Sequence, residues 1–281
     1  MTAPIGVFDS GHGGLTILRG LEAALPDEHY LYLGDHAAAP YGHRTPAEIY
    51  ARTQAAIELL FALGCRLVVL ACNTAAAVAL RRLQQGWMAE RHPERRVLSV
   101  IVPVVEQLTG VAWSVERPPP PPWPTARTVA LFATPRTVET GTYPAEVARR
   151  APWITMASQA CPGLAGAIEQ GAPDEALRHL VRAACALLLD RLGPAPVAGA
   201  VLGCTHYPLV ERHFAAALPG IPLLSQPALV GESLADYLRR RPDYRSGPGE
   251  TRFLTTGDAD FVTPLAAQFL GRPVRFRAIR A

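Results

Sequence analysis

Short apolar runs that end in small polar residues recur along this chain, and each is followed by a longer stretch with helical spacing. Leu67-Val68-Val69-Leu70, for example, gives way to Ala71-Cys72-Asn73-Thr74 and then to alanine-rich sequence. A near-continuous β-branched run is the pattern of a strand covered on both faces, and alternation with helices predicts βαβ units around a parallel sheet. On this basis residues 5–8, 30–33, 67–70, 97–102, 129–133 and 198–202 are expected strands. Residues 15–24, 46–63, 75–84, 139–149 and 173–192 are expected helices. With 281 residues the chain exceeds the size at which one core stops growing, so two domains are expected. The expected fold is α/β, with residues 1–102 plus 227–281 in a first domain and 103–226 in a second. Each is a mainly parallel sheet flanked by helices.

Composition narrows the function classes. Hydrophobic residues make up 49% and charged residues 18%, which excludes a disordered chain. The net charge of +3 is spread along the sequence, with no Lys/Arg run of the kind that binds nucleic acid. Arg239-Arg240-Arg241 fits a solvated helix end. No apolar stretch approaches the ~18 residues needed to span a bilayer, and Met1-Thr2-Ala3-Pro4 lacks the features of a signal peptide. A cytoplasmic protein is expected. The five cysteines, an odd number without a CxxC pair, are expected to be free thiols. The run Pro118 to Pro122 with Trp123-Pro124 is expected to be a stiff extended connector.

The strand ends carry the chemistry. Val7-Phe8-Asp9-Ser10 and Leu131-Phe132-Ala133-Thr134 both close a strand in small polar residues, and in each half a later buried strand ends in cysteine. This suggests an internal duplication. Cys72 falls at the carboxyl end of a parallel strand and at the start of a helix, where α/β sheets bind ligands and where helix N–H groups favour a thiolate. Asn73 and Thr74 add polar groups beside it. Leu202-Gly203-Cys204-Thr205-His206-Tyr207-Pro208-Leu209 repeats the arrangement and adds an imidazole able to exchange a proton with Cys204. Asp9-Ser10-Gly11-His12-Gly13-Gly14 joins a carboxylate and a hydroxyl to a permissive turn, without Rossmann or Walker spacing. Asp9 is read as a base or a partner for an ammonium group. Gly34-Asp35 and Pro40-Tyr41-Gly42 form another polar strand end, in which Asp35 also suits a turn and Tyr41 suits packing. Cys65, Cys161 and Cys185 lie in or beside helical, alanine-rich sequence and are expected to pack.

These segments together resemble glutamate racemase, of the aspartate/glutamate racemase superfamily. The resemblance is carried by Phe8-Asp9-Ser10-Gly11, Pro40-Tyr41-Gly42, Ala71-Cys72-Asn73-Thr74-Ala75, Ala133-Thr134-Pro135-Arg136-Thr137 with Tyr143, Ala160-Cys161-Pro162 with Glu169, the Cys204 motif and Thr256-Gly257-Asp258. It implies an active site in the cleft between two α/β domains and a reaction without pyridoxal phosphate, metal or nucleotide. It further implies Cys72 and Cys204 as the acid/base pair, assisted by Asp9 and His206. Ser10, Pro40, Tyr41, Gly42, Asn73, Thr74, Thr134, Thr137, Glu169 and Thr205 match substrate-binding positions. The implied partner is a small molecule, L- or D-glutamate, serving peptidoglycan synthesis, and a homodimer is among the assemblies allowed. The sequence departs from the family at His12, at His36-Ala37-Ala38, at Glu106 and in the proline run.

Racemisation needs one group to remove the α-proton while another delivers a proton to the opposite face. Thiols, with a reference pKa near ~8.5, serve as either acid or base. Other chemistries use the same residues. Cys72, Cys204 and His206 with Asp9 or water would make a zinc set. Cys204 with His206 would make a nucleophilic hydrolase or transferase. A non-catalytic amino-acid-binding protein is a further alternative.

Overall fold

The computed structural model describes residues 3–115 and 126–279, so the proline run lies outside the described residues. The chain divides into two compact units, residues 1–100 with 227–281 and residues 101–226.

The first unit holds a six-stranded sheet in the order β10-β9-β2-β1-β3-β4, every neighbouring pair parallel. Its strands are β1 (Ile5–Asp9), β2 (Tyr30–Gly34), β3 (Leu67–Leu70), β4 (Arg96–Ser99), β9 (Arg252–Thr255) and β10 (Phe276–Ala278). The second unit holds a four-stranded parallel sheet in the order β6-β5-β7-β8, from β5 (Arg127–Ala133), β6 (Ile154–Ala160), β7 (Val197–Gly203) and β8 (Leu223–Leu224). Helices occupy the connections, as parallel crossovers require. In the first sheet β2 lies on one side of β1 and β3 on the other; in the second, β6 and β7 flank β5 in the same way. Each sheet therefore has a point where strand order reverses, between β1 and β3 and between β5 and β7. Open α/β sheets bind ligands outside the carboxyl ends at such points.

Local sequence explains most elements. β1, β2 and β3 are buried along their whole length, which their unbroken apolar runs require. The helix Pro46–Ala62 opens with a capping box in which Thr45 and Glu48 satisfy each other's backbone N–H groups, with Pro46 at the first position, where its missing N–H costs nothing. The helix Gly14–Ala24 buries Leu15, Ile17, Leu18 and Leu21 at helical spacing.

Two expectations change. The apolar run 97–102 is not one strand: β4 stops at Ser99, and Ile101–Thr109 is a helix that buries Ile101, Val104, Val105 and Leu108. That i, i+3, i+4, i+7 spacing is helical, and Pro103 suits a first turn. The helix expected over 139–149 is two helices, Pro135–Glu139 and Thr142–Arg150. The pattern also missed β6, a strand at the sheet edge in which Thr155, Ser158 and Gln159 interrupt the apolar residues; Cys161 lies between its last residue and the helix Leu164–Glu169.

Candidate functional site

In the first unit the carboxyl ends of β1 and β3 meet at Ser10 and Cys72, the hydroxyl oxygen 3.4 Å from the sulfur. Cys72 caps the helical stretch that begins Asn73–Ala75, and its sulfur accepts the N–H of Ala75 at 3.4 Å. A donor aimed at sulfur from a helix start favours the thiolate. Asn73 and Thr74 form the first turn beside it, both buried. Asp9 ends β1 fully buried, its carboxylate accepting the Gly11 N–H at 2.8 Å. Gly14 lets the next helix start this close: a Cβ there would lie 2.4 Å from the Asp9 Cβ.

Asp35, after β2, is a buried anchor rather than only a turn former. It accepts the Tyr41 hydroxyl at 2.7 Å and the Thr256 hydroxyl at 2.7 Å, with the Arg52 guanidinium at 3.5 Å. These bonds tie the Pro40-Tyr41-Gly42 turn to the ends of β2 and β9. The Tyr41 phenol is raised far above its ordinary value, first by burial and then by the Asp35 charge, and so stays a hydrogen-bond donor. His12 and His36, two departures from the expected motif, meet: their rings pack edge-on at 4.3 Å. Nε2 of His12 bonds the Val262 carbonyl at 2.9 Å, and Nδ1 of His36 bonds the Thr255 hydroxyl at 2.9 Å.

In the second unit β5 ends beside β7. Thr134 caps the helix Pro135–Glu139, its hydroxyl accepting the Thr137 N–H at 3.3 Å and lying 2.9 Å from the Thr137 hydroxyl. Cys204 follows β7, but no α-helix starts on it; Thr205, His206 and a tight turn over Tyr207–Val210 come next, with Pro208 inside. The partner of Cys204 is accordingly a side chain, Nδ1 of His206 at 3.7 Å from the sulfur. Nε2 of His206 is hydrogen-bonded to the carboxylate of Glu169, at the end of the helix Leu164–Glu169. Burial alone would lower the imidazole pKa, but the Glu169 charge and the Cys204 hydrogen bond outweigh it and hold His206 well above its ordinary value. His206 is thus placed between a carboxylate and a sulfur, an arrangement that favours its protonated form. Glu169, expected from the resemblance only as a binding position, is the group behind His206.

Tyr143 is fully buried and accepts a 3.1 Å hydrogen bond from the Gln226 amide. Burial first, and then the charge of Cys204, raises the Tyr143 phenol above its ordinary value. Sequence reasoning named Tyr143 only within a motif and missed Gln226, which lies far along the chain from both. Burial pushes the thiols of Cys65, Cys161 and Cys185 each up to about 12.

Residues 5–230 match the family described as Asp/Glu/Hydantoin racemase. The chain belongs to this family. Within the racemase family it is 48% identical over 276 residues to a glutamate racemase of Jannaschia sp. (strain CCS1), covering 98% of this chain and 99% of that protein. The crystal structure of glutamate racemase isoform RacE1 from Bacillus anthracis is similar with a TM-score of 0.84 at 27% identity, over 99% of this chain and 97% of that one. Glutamate racemase from Francisella tularensis, solved in complex with D-glutamate, is similar with a TM-score of 0.81 at 26% identity, over 100% of this chain and 97% of that one. The racemase fold of two parallel sheets flanked by helices is the one described above. No helix among the described residues is long and apolar enough to cross a membrane.

Proposed function

We propose that the protein interconverts L- and D-glutamate by two-base proton transfer at the α-carbon, with Cys72 and Cys204 as the two bases. The observation that carries this reading is that each sheet presents one cysteine at the carboxyl end of its order-reversal point, each with its own proton-handling neighbourhood. In one direction the Cys72 thiolate removes the α-proton while the Cys204 thiol returns one, and in the other direction the roles exchange. The Ala75 N–H and the Ser10 hydroxyl support charge on Cys72, and Asp9 supplies the assisting carboxylate of that half. His206, backed by Glu169, shuttles a proton to and from Cys204. Ser10, Pro40, Tyr41, Gly42, Asn73, Thr74, Thr134, Thr137 and Thr205 hold the substrate, and donors on its carboxylate stabilise the carbanion-like transition state. The D-glutamate product serves peptidoglycan synthesis in a bacterial cytoplasm. A homodimer belongs to the same reading and is measured by light scattering.

The test is proton exchange in D2O. Wild type should replace the α-proton of either enantiomer with deuterium while racemising it, and Cys72→Ala or Cys204→Ala, folded by circular dichroism, should abolish racemisation. Undiminished racemisation by either variant would overturn the assignment. Racemisation that depends on stoichiometric bound zinc would instead support a metal role for the same residues.

A further inference from the structure

His12 and His36, two departures from the family pattern, form a clamp outside the acid/base set. His12 stands between Gly11 and Gly13, two residues after Ser10, and is only 2% exposed. It is fixed on three sides. Its Nε2–H donates to the Val262 carbonyl at 2.9 Å, Phe269 stacks on its ring with centroids 5.4 Å apart, and the His36 ring meets it edge-on at 4.3 Å.

His36 opens the short turn His36–Ala38 that leads into Pro40-Tyr41-Gly42. Its Nδ1 lies 2.9 Å from the Thr255 hydroxyl, which accepts the Gly257 N–H at 2.9 Å, and its ring packs on Phe276 at 5.4 Å. The backbone makes room for this ring: a Cβ on Gly34 would lie 2.2 Å from its Cε1 and 3.1 Å from the Gly11 carbonyl oxygen. Gly34 thus admits the imidazole and the Gly11 turn at one point. A turn carrying Gly11, Gly13 and Gly14 has much backbone freedom to lose when it orders. A ring anchored at its centre removes that freedom beforehand, and preorganised groups bind at a smaller entropic cost.

We propose that His12 and His36 act as one positioning unit that holds the Ser10 turn and the Pro40-Tyr41-Gly42 turn in register for the substrate. This role rests on the racemase reading, in which both turns bind substrate. Neither imidazole is assigned a proton; the unit acts through Ser10 and Tyr41. Edge-to-face ring pairs contribute beyond the area they bury, and this contact exists only while both rings are present. Removing either ring therefore removes the unit. Cys72 keeps the Ala75 N–H and Cys204 keeps His206, so the loss falls on binding rather than on proton transfer.

The experiment is steady-state kinetics with both glutamate enantiomers on the full chain, for His12→Gln, His36→Asn and the double variant. Gln keeps an amide N–H for the Val262 carbonyl and Asn keeps a polar group for Thr255, so each substitution removes chiefly the ring. KM should rise about tenfold in each single variant with kcat within about threefold of wild type, and the double variant should match the singles. His12→Phe, which restores a ring against His36, should return KM to within about threefold of wild type. Effects that multiply in the double variant, to about 100-fold in KM, would mean two unconnected structural roles and would overturn the proposal. Unchanged KM in both singles, or kcat that falls as far as KM rises, would overturn it too. If circular dichroism shows the His12 variants unfolded, Thr255→Val reads the same unit from its outer end: it should raise KM alone and add less than about twofold in the His36→Asn background, and a full added rise contradicts the proposal. Wild type that racemises glutamate beside variants of unchanged KM overturns only the positioning role, whereas wild type without racemisation overturns the racemase reading and this role with it.

Discussion

In the six-stranded sheet the cysteine at the order-reversal point is met by a backbone N–H and a hydroxyl, whereas in the four-stranded sheet it is met by an imidazole backed by a carboxylate. The difference follows from what comes after each strand. Asn73-Thr74-Ala75 continues straight into helix, so the orphan N–H groups of a helix start point at Cys72. Pro208 and the tight turn after Cys204 leave no such helix start, and a side chain supplies the proton chemistry. One topology therefore places the two thiols equivalently, while local sequence makes one a helix cap and the other half of a thiol–imidazole pair.

The sharpest way to break this comparison is to remove each assisting group. Asp9→Asn and His206→Asn should each lower kcat by roughly 10²- to 10³-fold, the usual worth of a positioned acid/base group. L- and D-glutamate are equal in energy, so kcat/KM must fall equally in both directions, and the affected half is read elsewhere. The primary isotope effect with α-deuterated substrate should rise for the enantiomer whose proton is taken by the impaired thiol. An unchanged, identical isotope effect in both variants would mean that the two halves are not separately assisted.

Backbone crowding gives a second contrast. Gly14→Ala should destabilise the protein by about 1–3 kcal/mol, because the new Cβ meets the Cβ of Asp9, which cannot swing away. Gly203→Ala should cost less, because its first obstacle, at 2.7 Å, is the terminal Cδ1 of Leu131. Denaturant midpoints decide the order, and a larger loss at Gly203 would refute the account.

Glu169→Gln tests the carboxylate behind His206, with an expected loss of about tenfold in kcat, one step of acid/base assistance. His206 has a folded-state pKa above its unfolded value, so its stabilising contribution is full below the unfolded value near ~6.5 and is lost as pH rises through the folded one. The melting-temperature gap between wild type and this variant should therefore be widest near pH ~6 and close as pH rises. A gap that widens with pH contradicts the assignment.

The smallest effects belong to the other thiols. Cys65→Ala, Cys161→Ala and Cys185→Ala should change kcat less than about twofold, since none lies at an order-reversal point. With thiols raised to about 12, none of the three should be alkylated by iodoacetamide at pH 8 in the folded protein, as read by mass spectrometry. Rapid labelling of Cys161 would show that a strand-end cysteine is reactive even at a sheet edge.

By itself, the sequence determined the βαβ rhythm, the parallel sheets and the strand-end position of both thiols. Those depend on short-range facts: unbroken apolar runs must be covered on both faces, and small polar residues must end them. Short-range pattern failed at residues 97–102, where one apolar run serves a strand and then a helix, and at β6, where polar residues interrupt too short an apolar pattern. Only the tertiary structure decided the partners. Asp35 with Thr256, His12 with His36, Glu169 with His206 and Gln226 with Tyr143 are joined by chain crossings, and no local spacing encodes which buried polar group will meet which. Each such group must find a partner once it leaves water, and the sheet order, not the neighbouring sequence, selects it.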